Sequence, residues 1–239
     1  MNAVGIKSVN HRLIGGGRMI LDTNDHLAQQ IRCEESFEPE VRKAVERIAS
    51  RGVNVIDIGA NIGYYTILAS KLIGSGNRVF SFEPQANIVA KLRRNVNLND
   101  LHNVDIFPFA LADKSGTVVF NIPPDGKEAY GSMHANGRFD VIKTVEVETK
   151  GLDEVLYNLG NPKIGLIKMD AEGAELLILR GATQLLSSPG RPDLIIEANE
   201  ANCEPFGYCV FDLLQLVHSY GYRLRQLDNE DWLAESQVT

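Results

Sequence analysis

Carboxylates that follow apolar runs are the residues of this chain best suited to chemistry. Asp57 lies near the end of the run that begins at Val53, and Glu83 ends the next run, about two dozen residues after Gly59. In a parallel sheet such runs form buried strands whose carboxyl ends share one edge. A carboxylate in the position of Glu83 can accept hydrogen bonds from both hydroxyls of a ribose. The pair therefore predicts a nucleoside site at that edge.

The segment between these carboxylates is a glycine turn, Gly59-Ala60-Asn61-Ile62-Gly63. Gly59 permits a sharp turn, and the missing side chains at Gly59 and Gly63 are expected to let a ligand lie against the backbone. The spacing departs from G-x-G-x-x-G, because Asn61 replaces the second glycine and Gly63 comes one residue early. A pyrophosphate fits such a loop badly, whereas a nucleoside with an amino-acid tail fits well. The turn therefore predicts S-adenosylmethionine rather than a nicotinamide dinucleotide.

A second group of titratable side chains follows later runs and is expected at the same edge. Asp170 ends the run 164–169, Glu172 opens the next helix, and Glu197 ends the following strand. A hydroxyl acceptor has a high pKa, so a nearby base or metal helps to activate it. Asp170, Glu172 and the loop residue His134 are the catalytic candidates. For Glu172 the alternative is a helix amino-terminal charge that complements the dipole.

Two arrangements of this second group are compatible with the sequence. In the first, Asp170, Glu197 and Asn199 hold Mg²⁺ against two acceptor oxygens. In the second, which we prefer, Asp170 orients cofactor or acceptor directly and Glu197 supports it from behind. A divalent metal is therefore a possible but not a favoured cofactor.

Alternating strands and helices must position these groups. Strands are expected at 53–58, 78–83, 104–107, 164–169, 194–197 and 222–227, and helices at 86–98, 171–186 and 211–220. A leading helix has an apolar face at Val41, Ala44, Val45 and Ile48, and the residues Glu35, Phe37 and Glu38 before it are placed to overhang the cofactor. Residues 18–31 form either a short hairpin or a small helix, and residues 232–233 are expected to add an edge strand. These elements predict an α/β fold with a mostly parallel central sheet flanked by helices.

An insertion interrupts that pattern before Asp170. Residues 117–122 and 141–149 alternate like antiparallel strands, which predicts an inserted hairpin. The glycine- and proline-rich segment 123–140 joins them and is long enough to be functional, so we expect it to be a lid on the acceptor side. The exit loop 108–113 follows the strand at 104–107 and precedes the hairpin. It is expected beside the strand that ends at Glu83, with the backbone of Ala110 and Leu111 near the adenine of the cofactor.

Composition limits the classes of function. The 239 residues are 44% hydrophobic with a formal net charge of -7, and no basic stripe is present, so nucleic acid is not an expected partner. Cys33, Cys203 and Cys209 lack metal spacing and predict plain thiols. Neither a signal pattern nor a membrane-length apolar run is visible, so we expect a cytoplasmic protein without membrane contact. We expect one domain, residues 1–239, with a leading segment at 1–50 and the core at 51–239.

Three stretches together resemble a known family. The segments VIDIGANIGYYT, SFEP and IKMDAEGAELLILRGA are similar to those of the FkbM-type methyltransferases. The third stretch is the most specific, because glycine turns occur in many nucleotide-binding proteins and this acidic strand-to-helix junction does not. The likeness extends over about residues 37–197.

The resemblance implies a Rossmann-like class I methyltransferase fold that uses S-adenosylmethionine, commonly for O-methylation of sugars and other small metabolites. It implies that cofactor binding falls on Asp57, Gly59, Asn61, Gly63, Tyr65, Glu83 and the region of Ala110, and it places Asp170 and Glu172 near the reacting centre. Ala60, Pro84, Leu111 and Asp170 are further candidates for cofactor binding. The expected partner is a small-molecule hydroxyl acceptor, and the oligomeric state stays open. Methylation of nitrogen or carbon, and a non-catalytic nucleotide-binding module, are the alternative hypotheses.

Overall fold

Strands and helices alternate through most of the chain. The structure, a computed structural model, describes residues 8–33, 37–135, 137 and 140–236. The strands are β1 (Ser8–Arg12), β2 (Arg18–Asp22), β3 (Asn54–Ile58), β4 (Val79–Phe82), β5 (Val104–Phe107), β6 (Ala110–Ala112), β7 (Gly116–Ile122), β8 (Lys143–Gly151), β9 (Ile164–Met169), β10 (Asp193–Glu197), β11 (Tyr222–Gln226) and β12 (Asp231–Ser236). The helices are α1 (His26–Cys33), α2 (Pro39–Ala49), α3 (Tyr64–Leu72), α4 (Ala86–Leu98), α5 (Leu152–Asn158), α6 (Glu175–Arg180), α7 (Thr183–Ser187), α8 (Glu200–Cys203) and α9 (Val210–Ser219).

The central sheet has seven strands in the order β11-β12-β10-β9-β3-β4-β5. Strands β5, β4, β3, β9 and β10 are mutually parallel, and β12 pairs antiparallel with both of its neighbours. All four residues of β4 are buried, as expected for a strand with helices on both faces. The predicted mostly parallel α/β fold is confirmed. The parallel order brings the ends of β4, β3, β9 and β10 together at one edge.

One predicted strand has a different place. Residues 232–233 belong to β12, which lies between β10 and β11 rather than at the edge of the sheet. Leu233 and Ala234 are fully buried because β12 pairs with a strand on each side. The edge prediction is therefore wrong. The short turn after β11 lets the chain return antiparallel into the space beside β10.

The inserted hairpin is confirmed and is part of a larger unit. β7 and β8 pair antiparallel, and β6 adds to β8 in parallel, which gives a separate sheet of three strands, β6-β8-β7. The predicted exit loop thus contains a strand, Ala110–Ala112. The single helix predicted at 171–186 is divided into α6 and α7 at Gly181, where a Cβ atom would lie 2.1 Å from the carbonyl oxygen of Ala112.

The amino-terminal segment contains both of the elements that the sequence left open. β1 and β2 form an antiparallel hairpin, and α1 follows it. The predicted leading helix is α2, and the apolar face at Val41, Ala44, Val45 and Ile48 is buried as expected. No helix in the described ranges has both the length and the apolar composition needed to cross a bilayer.

Candidate active site

A cavity of about 400 Å³ opens at the carboxyl ends of β3, β4, β9 and β10. Most of the residues predicted from the sequence line it. They are Asp57, Gly59, Ala60, Asn61, Tyr65, Glu83, Pro84, Ala110, Leu111, Asp170, Glu172 and Glu197. The fold therefore brings the predicted cofactor residues other than Gly63, and most of the predicted acceptor-side residues, to one cavity.

Three predicted residues are not part of the described cavity wall. Gly63 begins α3 with a φ of 97°, and a Cβ there would lie 2.6 Å from Leu92 Cδ1, inside the protein. The ring of His134 packs edge-on against Phe206 with 4.5 Å between centroids. Asn199 is the amino-terminal cap of α8, where its side chain accepts from the backbone N–H groups of Ala201 and Asn202. The contacts of Gly63 and His134 depend on tertiary packing, which sequence position does not indicate, whereas the cap formed by Asn199 is local.

The glycine turn is shaped by protein packing rather than by ligand approach. Gly59 has a φ of 73°, and a Cβ on it would lie 1.7 Å from the carbonyl oxygen of Asp170. The missing side chain of Gly59 is therefore required by the crossing of two chain segments, while Gly59 also lines the cavity, so contact of its backbone with a ligand stays a prediction. The N–H groups of Gly59 and Ala60 both donate to the carbonyl oxygen of Phe82, at 3.0 Å. This arrangement ties the turn to the end of β4.

Glu83 lies directly under that turn. Its two carboxylate oxygens accept from the backbone N–H groups of Asn61 (3.2 Å) and Gln85 (2.9 Å). Burial raises the pKa of Glu83 to about 7, although both hydrogen bonds lower it. The side chain is fixed at the cavity wall where a ribose was predicted.

Asp57 has one satisfied and one unsatisfied oxygen. Its Oδ2 accepts from the hydroxyl of Thr66 at 2.6 Å, while Oδ1 is buried and has no hydrogen-bond partner among the described residues. Burial raises the pKa of Asp57, and the nearby charge of Lys168 lowers it. An unpaired buried carboxylate oxygen is costly, so a cationic ligand group at this place is favoured.

Lys168 is a site residue that the sequence analysis did not identify. It lies within the otherwise apolar strand β9, and its Nζ lies 2.9 Å from Oδ2 of Asp170 and 5.0 Å from the ring centroid of Tyr65. Burial alone lowers the pKa of Lys168, but the carboxylates of Asp170, Glu38 and Asp57 raise it above its usual range. A lysine inside an apolar strand was the available sequence signal.

Glu38 approaches the same cluster from the amino-terminal side. It precedes α2 in the left-handed region, with a φ of 45°, and its carboxylate accepts from the hydroxyl of Tyr65 at 2.7 Å instead of capping the helix. Burial raises the pKa of Glu38, whereas Lys168 lowers it. Phe37 and Glu38 line the cavity as predicted, and Glu35 lies outside the described residues.

On the far side of the cavity, one amide joins two carboxylates. Nδ2 of Asn202 donates to Oε2 of Glu172 at 3.0 Å and to Oε2 of Glu197 at 3.2 Å. The hydroxyl of Ser132 donates to the carbonyl oxygen of Glu172 at 2.7 Å, which ties the inserted segment to this corner. Burial raises the pKa of Glu197 well above its ordinary range, as do the nearby charges of Asp170 and Glu172. Asn202 had no sequence signal.

The candidate metal ligands are held apart by different partners. Asp170 pairs with Lys168, Glu197 accepts from Asn202, and Asn199 caps α8 while donating to Glu230 at 2.6 Å. Within the described ranges, no group of three or more His, Cys, Asp or Glu side chains has a geometry suited to a metal ion. Each member of the predicted trio thus has a hydrogen-bond partner of its own, and a metal held by Asp170, Glu197 and Asn199 stays an untested alternative.

An apolar slot lies beside Glu83, where an adenine was predicted. Phe82 stacks on Phe107 with 4.8 Å between centroids and meets Phe109 edge-on at 5.7 Å. Phe82, Phe109 and Leu111 line the cavity. Such a slot accommodates a flat, apolar ring system.

The inserted segment forms part of the cavity wall. Ala129, Tyr130, Gly131 and Met133 line the cavity. The hydroxyl of Tyr130 lies 2.6 Å from Nδ1 of His26, and the backbone N–H of His26 donates to the carbonyl oxygen of Gly126 at 2.8 Å. The segment is thus bound to the start of α1.

Comparison with known proteins gives a consistent result. The methyltransferase FkbM domain matches residues 57–224, which is more than half of the chain. Methyltransferase sdnD of Sordaria araneosa is 30% identical over 157 residues, which cover 54% of this chain and 60% of that protein. The 2-O-methyltransferase NoeI of Sinorhizobium fredii is 29% identical over 174 residues, covering 67% of this chain and 70% of that protein.

Solved structures add a likeness in fold. An O-methyltransferase from Bacillus cereus in complex with S-adenosylhomocysteine superposes with a TM-score of 0.50 at 14% identity, over 83% of this chain and 81% of that one. At that identity the likeness concerns the fold alone. The chain spans between half and two thirds of the length of the first three curated relatives that it matches.

Proposed function

The chain belongs to the family of methyltransferases with an FkbM domain, and we propose that it transfers the methyl group of S-adenosylmethionine to a hydroxyl oxygen of a small molecule, such as a sugar or a natural product. S-adenosylmethionine is the cofactor of this family, as predicted. Transfer to oxygen is supported by the similarity to NoeI, which is named as a 2-O-methyltransferase.

The observation that carries the proposal is that two chemically different groups of residues share one cavity. The apolar slot, Glu83 and Asp57 form one part, with features that suit an adenine, a ribose and a cationic tail. Asp170, Glu172 and Glu197 form the other part, on β9 and β10, where carboxylates suit the hydroxyls of an acceptor. A donor and an acceptor bound in these two parts would meet near Asp170.

The unsatisfied Oδ1 of Asp57 fits this cofactor. S-adenosylmethionine has positive charge on sulfur and on its amino group, and a buried oxygen without a partner gains a charge-assisted hydrogen bond from such an amino group. Glu83, already fixed by two backbone N–H groups, keeps lone pairs for the ribose hydroxyls.

Methyl transfer to a hydroxyl requires alignment of the acceptor oxygen with the methyl group and removal of one proton from that oxygen. When bound, S-adenosylmethionine supplies an electrophilic methyl group whose carbon–sulfur bond breaks in line, leaving both electrons on sulfur. The cavity walls would hold the acceptor oxygen on that line, and such positioning contributes several kcal/mol or more to lowering the barrier. The acceptor oxygen forms the new bond to carbon and gives its proton to a carboxylate. We assign that role to Asp170, which lies at the boundary of the two parts and whose Oδ2 accepts from Nζ of Lys168 at 2.9 Å.

Asp170→Asn is expected to reduce turnover by about a hundredfold or more, because general bases contribute on the order of 10²–10⁴. Binding of S-adenosylhomocysteine, measured by titration calorimetry, should change only severalfold. Glu172→Gln is the matched control, because Asn202 already holds that side chain away from a proton-transfer role, and it should reduce turnover less than about tenfold. Equal losses in the two variants would contradict the assignment of Asp170.

The function itself is tested with S-adenosylmethionine carrying a tritiated methyl group. The protein is incubated with a panel of sugars, glycosides, polyols and amines, and labelled products are identified by mass spectrometry. We expect a methyl ether. A labelled amine would support N-methylation instead, and binding of S-adenosylhomocysteine without label transfer to any compound in the panel or in a metabolite extract would support a non-catalytic module.

A further inference from the structure

Lys168 is unusual among the residues around the cavity because of its charge. Among the described residues that line the cavity, it is the only one with a cationic side chain. It is 4% exposed and lies in a strand whose other residues are Ile, Gly, Leu, Ile and Met. Lysine is almost never buried to this degree without a role for its charge.

The hydrogen bonding of Lys168 is incomplete. An ammonium group has three N–H donors. Within the described part of the chain, Nζ of Lys168 donates a hydrogen bond to a single oxygen, Oδ2 of Asp170 at 2.9 Å. The remaining donors are buried at the cavity wall, where leaving them unfilled costs free energy. A further acceptor at the cavity wall would therefore stabilise the ammonium group.

An unfilled group of the opposite sign lies on the neighbouring strand. Asp57 and Lys168 are partners in the parallel register of β3 and β9, and Oδ1 of Asp57 is buried without a partner among the described residues. A ligand that has both an ammonium and a carboxylate group would satisfy the two sides at once. An α-amino acid has these two groups on one carbon.

The position of this pair relative to Glu83 agrees with such a ligand. Glu83 follows β4, Asp57 is on β3 and Lys168 is on β9, and these strands are consecutive in the sheet. Lys168 is thus two strand spacings from the line of Glu83, or about 10 Å. An extended nucleoside with its ribose on Glu83 would direct its amino-acid tail across β3 toward β9.

We propose that Lys168 binds the carboxylate of the amino-acid tail of S-adenosylmethionine and S-adenosylhomocysteine, while Asp57 binds the ammonium group of the same tail. The inference rests on the proposed function, because it uses the same cofactor. It makes Lys168 a cofactor-binding residue rather than a counter-ion that only neutralises Glu38, Asp57 and Asp170.

The test compares two ligands that differ only in the carboxylate: S-adenosylhomocysteine and its decarboxylated analogue, in which hydrogen replaces that group. Titration calorimetry should show that the parent protein prefers S-adenosylhomocysteine by about tenfold or more, as expected for a charge-assisted hydrogen bond. Lys168→Met should bind both ligands equally, within about twofold, while Lys168→Arg should keep a preference. Lys163→Met, an exposed lysine just before β9, is the matched control and should keep the full preference.

Several outcomes would overturn the inference. A Lys168→Met protein that binds both ligands more weakly but still prefers S-adenosylhomocysteine would show a counter-ion role only. A parent protein with no preference would overturn it without any variant, so the test does not depend on the folding of Lys168→Met. A parent protein that binds neither ligand would instead overturn the proposed function, and the inference with it.

Discussion

At the scale of single residues, Glu83 combines a proposed role in ribose binding with a pKa raised by burial to about 7. Burial raises its pKa to about 7, so in the ligand-free protein the side chain is largely protonated below that pH and ionised above it. Ribose hydroxyls donate more strongly to the ionised form. Ligand binding is therefore expected to be linked to loss of this proton.

The consequence is a pH-dependent affinity. Binding of S-adenosylhomocysteine should strengthen by about tenfold as pH rises from 6 to 8, because each pKa unit corresponds to about 1.4 kcal/mol. Glu83→Gln should bind at least about tenfold more weakly at pH 8, with little dependence on pH. Glu175→Gln is the control, since burial also raises the pKa of Glu175 to about 7 but this residue does not line the described cavity. Calorimetry at several pH values checks both, and a pH-independent parent affinity would contradict the prediction.

Two glycines allow the energetic cost of backbone strain to be distinguished from the cost of a steric clash. Gly59 and Gly74 both have a φ of 73°, but a Cβ on Gly59 would meet the carbonyl oxygen of Asp170 at 1.7 Å, whereas a Cβ on Gly74 would meet nothing within 4 Å. Gly74→Ala should lower the free energy of unfolding by about 1–2 kcal/mol, the cost of the left-handed conformation. Gly59→Ala should cost clearly more and weaken cofactor binding, because β3 and β9 must separate. Urea unfolding measures both variants, and equal losses would contradict the packing argument.

At the scale of elements, the inserted segment 123–140 lies closer to the cofactor side than the sequence suggested. A Cβ on Gly131 would lie 2.6 Å from the ring of Phe120 and 2.9 Å from Nε2 of Gln85, next to Glu83. Ser132 also reaches Glu172 on the acceptor side. The segment therefore borders both parts of the cavity, and its closing motion stays a prediction.

Replacing residues 124–131 by a short Gly-Ser linker is expected to impair both functions. Turnover should fall by about tenfold or more, because water enters the site and acceptor contacts are lost. The affinity for S-adenosylhomocysteine should fall severalfold, since the wall beside Gln85 is removed. Tyr130→Phe, which removes only the hydroxyl near His26, should have a smaller effect on both. If the affinity for S-adenosylhomocysteine is unchanged in the shortened protein, the segment contributes only to the acceptor side of the cavity.

At the scale of the whole molecule, buried carboxylates link stability to pH. Glu175 accepts from the N–H of Ala171 at 2.7 Å and from the hydroxyl of Tyr208 at 3.3 Å, and burial raises its pKa from an ordinary 4.5 to about 7. The folded state therefore holds this proton more tightly than the unfolded state. Its stabilising effect is fully present below pH 4.5 and is lost as pH rises to about 7.

Glu175→Gln should remove this dependence. The amide can accept from Ala171 and donate to Tyr208, so it keeps the contacts without a buried charge. Relative to the parent, the free energy of unfolding of the variant should rise by about 3 kcal/mol between pH 4.5 and pH 8, given about 1.4 kcal/mol per pKa unit. Urea unfolding at several pH values is the measurement. A difference in the free energy of unfolding that does not change with pH would contradict the prediction.

That the whole chain folds as one domain also stays a prediction.

Sequence alone determined the parallel core of the sheet and the edge at which the candidate active site lies. Apolar runs that end in Asp57, Glu83, Asp170 and Glu197 specify both the strands and their active ends, because strand period and chain direction are local properties. The inserted hairpin followed from alternation in the same way. The motifs around Asp57 and Asp170 were sufficient to indicate the family.

Tertiary structure decided what each of these groups touches. Whether Gly59 faces a ligand or the backbone of Asp170, and whether His134 faces the cavity or Phe206, depends on segments far apart in the chain. The same holds for the strand β12, whose place between β10 and β11 follows from pairing on both of its sides. Lys168 is the clearest case, because its sequence neighbours predict a buried strand, and only the packing of β3 and β9 shows an ammonium beside an unsatisfied carboxylate oxygen. Burial and long-range charge set these partnerships, and neither is a property of a local pattern.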